Sequence, residues 1–245
     1  MVCPSQVRAK SLSLIEKLPM TMQVGIVADT GIVLASDTKF YSESSELGLT
    51  ITGGLRKIRI GESGKIAVSC AYALKLAFRI AGSIVAGLSP QFWPHPTDKI
   101  IEIISSELDK VGASQHECLI VLAEPTPKLY VFSSGEKTVH GWLDSVCWEV
   151  PTYAFCGHKT NASIYWADRF FRPVVPRLRS MEDSVTLAAQ IIFDAGKINS
   201  NAVGGLEVIK CDAAGIHVLT AEENIALEAA AHERSMKIEQ ILFCG

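Results

Sequence analysis

The chain has 245 residues, of which 48% are hydrophobic and 20% are charged. This composition predicts one large globular domain with a well-filled core. The formal net charge of −3 gives no basis for binding nucleic acid or an acidic membrane surface. No apolar run reaches the roughly 20 residues that a membrane-spanning helix needs. Glu16, Lys17 and Pro19 interrupt the apolar stretch near the N-terminus, so a secretory signal is not expected.

Cysteines and histidines are scattered along the chain. The seven cysteines form no CxxC pair, and the six histidines show no HExxH spacing. Most of the cysteines lie in apolar segments, which indicates reduced, buried thiols in a cytoplasmic protein. No metal site and no cofactor are therefore expected.

Residues 1–20 are interpreted as a leader, a propeptide or a mis-annotated extension, and residues 21–245 as the single domain. The first strong local pattern of this domain is a β-hairpin. Two apolar runs flank the turn Asp29-Thr30-Gly31, and Thr21 opens the first strand directly after Met20. If Thr21 is the first residue of the mature chain, its α-amine, with a pKa of about 8, can act as the base for its own hydroxyl.

Further elements follow in chain order. The polar tract Ser42–Thr52 is interpreted as a loop, and the pattern after it alternates between strands and helices. Strands are predicted at 55–60, 65–69, 117–123, 128–133, 146–155, 207–211 and 216–219, and helices at 71–88, 97–112, 161–171, 181–198 and 221–242. Helix pairs segregated from antiparallel strands predict an α+β layered sandwich.

Three segments in this order resemble one family. They are Thr21 before Val24-Gly25-Ile26, Asp37 in Leu34-Ala35-Ser36-Asp37, and Lys57 in Leu55-Arg56-Lys57-Ile58. The sequence is similar here to the β-type subunits of the proteasome core particle and their bacterial relatives. These are N-terminal-nucleophile (Ntn) hydrolases. The resemblance is strongest over residues 21–88 and continues in order to residue 219, and it implies a four-layer αββα sandwich.

The resemblance implies a catalytic role for each of these positions. Thr21 Oγ would attack the carbonyl of an amide bond, and Lys57 would lower the proton affinity of that hydroxyl electrostatically. Asp37 would pair with Lys57 and hold it in place. The backbone N–H of Cys70, where the family usually has Gly, would help to stabilise the oxyanion.

The resemblance also suggests a substrate pocket beside Thr21. By position, its lining residues are Phe40, Leu55, Val68 and Tyr72. All four are apolar or aromatic, so we expect a preference for hydrophobic side chains before the scissile bond.

The polar groups that support the N-terminal amine in this family are changed in the present chain. His158 stands where the family has a Ser, Ser200 stands at the Asp position, and Val203 stands at the second Ser. His158 and Ser200 could hydrogen-bond the amine, with His158 acting near neutral pH. The alternative is that His158 is an ordinary histidine at a helix N-terminus with no chemical role.

The expected function is that of a threonine endopeptidase. We expect it to hydrolyse unfolded proteins or peptides within a homo-oligomeric ring in the cytoplasm. The sequence does not identify an ATPase regulator. The alternatives are a catalytically silent scaffold subunit of the same fold and a small-molecule amidase or transpeptidase with the same nucleophile. Thr21 would become N-terminal by initiation at Met20 and methionine removal, or by cleavage of a leader. If the leader stays, the amine is blocked.

Overall fold

The structure is a computed structural model that describes most of the domain predicted after Met20. The described residues are 21–44, 48–52, 56–71, 74–111, 116–138, 141–143, 145–157, 179–200 and 203–243. None of the helices in these ranges has the length and apolar character needed to cross a membrane.

The first sheet has five antiparallel strands and contains the predicted hairpin. In spatial order its strands are β12 (Tyr153–Gly157), β1 (Met22–Val27), β2 (Ile32–Ser36), β13 (Glu207–Asp212) and β14 (Gly215–Val218). β1 and β2 pair around the turn at residues 28–31, where Ala28 N donates to Gly31 O at 2.8 Å. A Cβ atom at Gly31 would lie 2.0 Å from the carbonyl oxygen of Cys211, so this turn needs glycine for close packing.

The second sheet also has five antiparallel strands. Their spatial order is β11 (Val146–Glu149), β8 (Lys128–Ser133), β7 (Glu117–Leu122), β6 (Ile66–Cys70) and β5 (Ile58–Ile60). Two short hairpins are separate from both sheets: β3 (Phe40–Ser44) with β4 (Gly48–Thr52), and β9 (Glu136–Thr138) with β10 (Gly141–Leu143).

Helices cover the outer face of each sheet. The helices α1 (Leu74–Gly87) and α2 (Thr97–Val111) share an apolar cluster with the second sheet. The helix α3 (Met181–Ile198) shares another cluster with the first sheet, and Leu227 of α4 (Ala221–Phe243) packs against it. A third cluster, which includes Leu34, Leu119 and Ile209, lies between the two sheets. The predicted four-layer αββα sandwich is therefore confirmed.

Most predicted elements are confirmed to within a few residues, but two predictions were wrong. The segment Ser42–Thr52, expected as a loop, contains β3 and β4, which pair with Ser42 opposite Thr50. The segment 146–155, expected as one strand, is divided between the two sheets: β11 pairs with β8, and β12 pairs with β1. Pro151 lies between them; it has no backbone N–H for a ladder, so the strand ends there. The predicted helix at 161–171 lies outside the described residues.

Candidate active site

Thr21 lies at one end of the layer between the two sheets. Met22, Val24 and Ile26 of β1 belong to the cluster beneath α3. Because side chains alternate along a strand, Thr21 and Gly25 face the second sheet. A Cβ atom at Gly25 would meet the side chain of Leu129, a residue of the inter-sheet cluster, which agrees with this orientation.

The structure brings the three predicted catalytic side chains together. Lys57 Nζ lies 2.9 Å from Thr21 Oγ1 and 2.8 Å from Asp37 Oδ2, and it donates to both. Thr21, Asp37 and Lys57 are 6%, 0% and 5% exposed, respectively. Hydrogen bonds therefore connect Thr21, Lys57 and Asp37 in a buried series, although the three residues come from three different segments.

Burial changes the proton affinities of the Asp37–Lys57 pair. Burial raises the pKa of the Asp37 carboxyl, an effect that the charge of Lys57 and its hydrogen bond oppose. Burial lowers the pKa of the Lys57 ammonium, and the charge of Asp37 opposes this change. Lys57 consequently gives up a proton more readily than a lysine in water, while it stays within hydrogen-bond reach of the Thr21 hydroxyl.

Asp37 also fixes the backbone next to Thr21. Asp37 Oδ1 accepts a hydrogen bond of 2.8 Å from Met22 N, and Asp37 N donates to Met22 O at 3.1 Å. Asp37 Oδ2 accepts a further bond from Lys39 N at 3.2 Å. One carboxylate therefore positions both Lys57 and the residue that follows the candidate nucleophile.

Gly157 packs directly on the backbone of Thr21. It lies opposite Met22 in the β1–β12 pair and has a φ of 85°, which favours glycine. Its N–H donates to Glu117 Oε2 at 3.1 Å. The contact of Gly157 with Thr21 was not predicted from the sequence.

Glu207 holds the backbone of Lys57 from the other sheet. Its Oε2 atom accepts hydrogen bonds from Lys57 N at 2.9 Å and from Ile58 N at 3.2 Å. Burial raises the pKa of the Glu207 carboxyl, although these two bonds lower it. This residue was not predicted from the sequence. The available signal was an acidic side chain directly before the apolar pair Val208-Ile209.

Cys70 is the last residue of β6. Ala71 N donates to Glu117 O, a bond on the β7 side of the strand. Because hydrogen-bonding direction alternates along an antiparallel strand, the backbone N–H of Cys70 faces the opposite side, where β5 begins after Lys57. The role of this N–H as an oxyanion donor stays a prediction.

Of the remaining predicted site residues, the structure describes the side chains of Val68 and Ser200. Val68 is fully buried in the cluster beneath α1 and α2, and it therefore presents no surface to a pocket. Ser200 is exposed, and its carbonyl oxygen accepts a hydrogen bond from Lys39 Nζ. Leu55, Tyr72, His158 and the side chain of Phe40 lie outside the described residues.

A cleft of about 290 Å³ is lined by Thr38 and Arg56, the chain neighbours of Asp37 and Lys57, and by Glu207. Leu219 and Ile225 add apolar surface. Thr21, Asp37 and Lys57 themselves are not among its lining residues.

Comparison with known proteins identifies the fold. No protein-family model matches the sequence, and no curated protein is similar to it. The Anbu (Gly-1) mutant from Hyphomicrobium sp. strain MC1 has a TM-score of 0.63 at 14% identity, over 90% of this chain and 96% of that chain. Anbu (ancestral beta-subunit) from Yersinia bercovieri has a TM-score of 0.61 at 14% identity, over 89% and 95%. A second structure of the Hyphomicrobium protein has a TM-score of 0.62 at 12% identity, over 89% and 97%. The chain therefore has the proteasome-like Ntn-hydrolase fold of these proteins.

Proposed function

We propose that this protein is a threonine endopeptidase in which Thr21 is the N-terminal nucleophile. The observation that carries the proposal is the buried chain of Thr21 Oγ1, Lys57 Nζ and Asp37 Oδ2, with separations of 2.9 and 2.8 Å. A threonine hydroxyl is a weak nucleophile unless a neighbouring group takes its proton. The short distances between the hydroxyl, the lysine and the carboxylate support this activation.

The reaction has two covalent steps. Thr21 Oγ forms a bond to the carbonyl carbon of the substrate amide, and its proton passes to the free α-amine of Thr21. The C–N bond then breaks, and the departing amine takes this proton. A water molecule next attacks the resulting ester. This hydrolysis releases the substrate acyl group as a carboxylic acid and regenerates the Thr21 hydroxyl.

Lys57 and the end of β6 provide the electrostatic part of the mechanism. Lys57 donates to Thr21 Oγ1, so it stabilises negative charge that develops on this oxygen when the proton leaves. The N–H of Cys70 would stabilise the oxyanion on the substrate. His158 and Ser200 are proposed to support the α-amine, and the carbonyl oxygen of Ser200 accepts a hydrogen bond from Lys39 Nζ.

The proposed substrate is an unfolded protein or peptide, cleaved after an apolar side chain. Phe40, Leu55 and Tyr72 would provide the apolar pocket. The name of the Yersinia protein, an ancestral beta-subunit, supports the proposal that this chain is a subunit of an assembly, which we propose to be a homo-oligomeric ring. The five cysteines of the described part are free thiols, which supports a reducing compartment such as the cytoplasm.

A second candidate is a catalytically silent subunit of the same fold. Val203 is 1% exposed and packs in the apolar cluster beneath α3, at the position where the family has a hydroxyl. It cannot hydrogen-bond the amine of Thr21. This observation favours a site in which the amine is less well supported than in the family.

Hydrolysis of fluorogenic peptides by the purified protein tests the proposal, with Thr21→Ala and Thr21→Ser as a matched pair. We expect turnover by the parent chain, partial activity in Thr21→Ser and none in Thr21→Ala. Equal activity in Thr21→Ala would exclude Thr21 as nucleophile. No turnover with a free Thr21 amine would favour the silent subunit. Turnover of small amides alone would favour an amidase.

A further inference from the structure

A second cluster of reactive side chains lies beneath α1, on the face of the second sheet that this helix covers. Cys70 of β6 and Cys118 of β7 are directly opposite each other in an antiparallel pair. Both side chains belong to the cluster beneath α1 and α2. His116 precedes Cys118 by two residues, so an extended chain directs both side chains to the same face. The imidazole nitrogen and the two sulfur atoms lie within 4.8 Å of one another.

The backbone of His116 is fixed by the neighbouring strand. His116 N donates to Ser134 Oγ at 2.6 Å, and Ser134 N donates to His116 O at 2.9 Å. These two bonds place the imidazole beside the β6–β7 pair. His116, Cys70 and Cys118 are 1%, 5% and 0% exposed, respectively, so the cluster lies inside the protein.

The two thiols of the cluster lie in apolar surroundings. A thiolate in an apolar cluster is costly without a positive partner. A thiolate is also the form of cysteine that binds metal ions.

We propose that Cys70, Cys118 and His116 form a zinc site. Zinc bonds of about 2.3 Å to sulfur and about 2.0 Å to nitrogen place tetrahedral ligands about 3.5–3.8 Å apart. Atoms within 4.8 Å of one another reach this spacing by a movement of about 1 Å, which side-chain rotation provides. Three protein ligands leave the fourth position to a water molecule or another small ligand.

Charge favours Zn²⁺ over Cu⁺ at this site. Two thiolates and a neutral imidazole carry two negative charges, which Zn²⁺ neutralises and Cu⁺ does not. The surroundings include Ala77, Ile80 and Ala81 of α1, all buried and apolar. A net charge left in such surroundings carries a large desolvation cost. The sequence did not indicate this site because Cys70 is remote from the other two ligands along the chain and becomes their neighbour only through strand pairing.

Zinc binding by the full chain tests the proposal. The reduced protein is freed of metal with a chelator, and Zn²⁺ is then titrated in competition with a chromophoric chelator. We expect one Zn²⁺ per chain, and with Co²⁺ the visible bands and thiolate charge-transfer absorption of a tetrahedral sulfur site. Cys118→Ala should lose this binding. Cys211→Ala, which removes a buried thiol from the inter-sheet cluster, should retain it.

Several results would overturn the proposal. These are no Zn²⁺ bound by the folded parent chain, binding of Cu⁺ alone, a Cys70–Cys118 disulfide in place of a metal, and unchanged binding in Cys118→Ala. If Cys118→Ala does not fold, His116→Gln replaces it. In the parent chain, Zn²⁺ should also slow alkylation of Cys70 and Cys118 but leave Cys211 unaffected. Equal alkylation of all three thiols with and without Zn²⁺ contradicts the site.

Discussion

Gly157 packs so closely on Thr21 that a Cβ atom added to it would lie 2.0 Å from the Thr21 carbonyl oxygen. The φ of Gly157 is 85°, a backbone conformation that residues other than glycine rarely adopt. Two independent constraints therefore require glycine at this position. Any side chain there must move Thr21, whose hydroxyl lies 2.9 Å from Lys57 Nζ.

Gly157→Ala should lower both stability and activity. A positive φ costs an alanine about 1–2 kcal/mol, and the collision with Thr21 adds about 1–3 kcal/mol. Urea denaturation gives the change in the free energy of unfolding. Gly64→Ala is the matched control because Gly64 also has a positive φ, of 65°, but nothing lies within 4 Å of its added Cβ. Equal decreases in the free energy of unfolding in the two variants would show that the contact with Thr21 does not affect stability.

Lys57→Met should abolish hydrolysis and destabilise the fold. It removes the group that stabilises charge on Thr21 Oγ1, and loss of such a group costs about 10²–10⁴-fold in rate. It also leaves the Asp37 carboxyl buried without its partner, which costs about 3–5 kcal/mol. Peptide hydrolysis and urea denaturation measure the two effects. Lys99→Met, at a surface residue paired with Glu102, should change neither.

Asp37→Asn should restore part of the stability that Lys57→Met loses. In the double variant neither member of the buried pair is charged, and the introduced amide oxygen can still accept the hydrogen bond from Met22 N that Asp37 Oδ1 accepts. A double-mutant cycle of unfolding free energies measures the coupling. Strictly additive losses would contradict the interaction between Asp37 and Lys57. The double variant should remain inactive.

Glu207→Gln should change how stability depends on pH. Burial raises the pKa of Glu207 in the folded protein above its ordinary value of 4.5. The folded state therefore holds this proton to a higher pH than the unfolded chain does. The resulting contribution to stability is fully present below pH 4.5 and is lost as the pH rises through the folded pKa.

The glutamine is neutral throughout, so the stability of Glu207→Gln relative to the parent should increase with pH across this window. The Gln oxygen can still accept the bonds from Lys57 N and Ile58 N. Urea denaturation at a series of pH values measures the difference, and the exposed Glu102→Gln serves as the control. A difference that does not vary with pH would mean that the pKa of Glu207 is the same in the folded and unfolded states.

The elements that could be predicted are those whose signal is local in the sequence. The turn Asp29-Thr30-Gly31 predicted the β1–β2 hairpin, and helical periodicity predicted α1 and α2. The division of 146–155 between two sheets could not be derived from apolar pattern alone, because both halves are apolar. Pro151 was the local signal for that division.

The residues of the candidate site also differ in whether the sequence could predict them. Thr21, Asp37 and Lys57 could be proposed because their order and neighbours resemble a family. Glu207 supports Lys57 across 150 positions of sequence, and Gly157 contacts Thr21 across the β1–β12 pair. Neither contact has a local pattern, since each depends on how the two sheets are brought together.

The central claim is that Thr21 becomes the first residue and acts as the nucleophile. Intact mass and N-terminal sequencing after treatment with a threonine-directed epoxyketone test it most directly. We expect a chain that begins at Thr21 and carries one covalent adduct at that residue, with no adduct in Lys57→Met. A chain that retains Met1 and forms no adduct would contradict the claim.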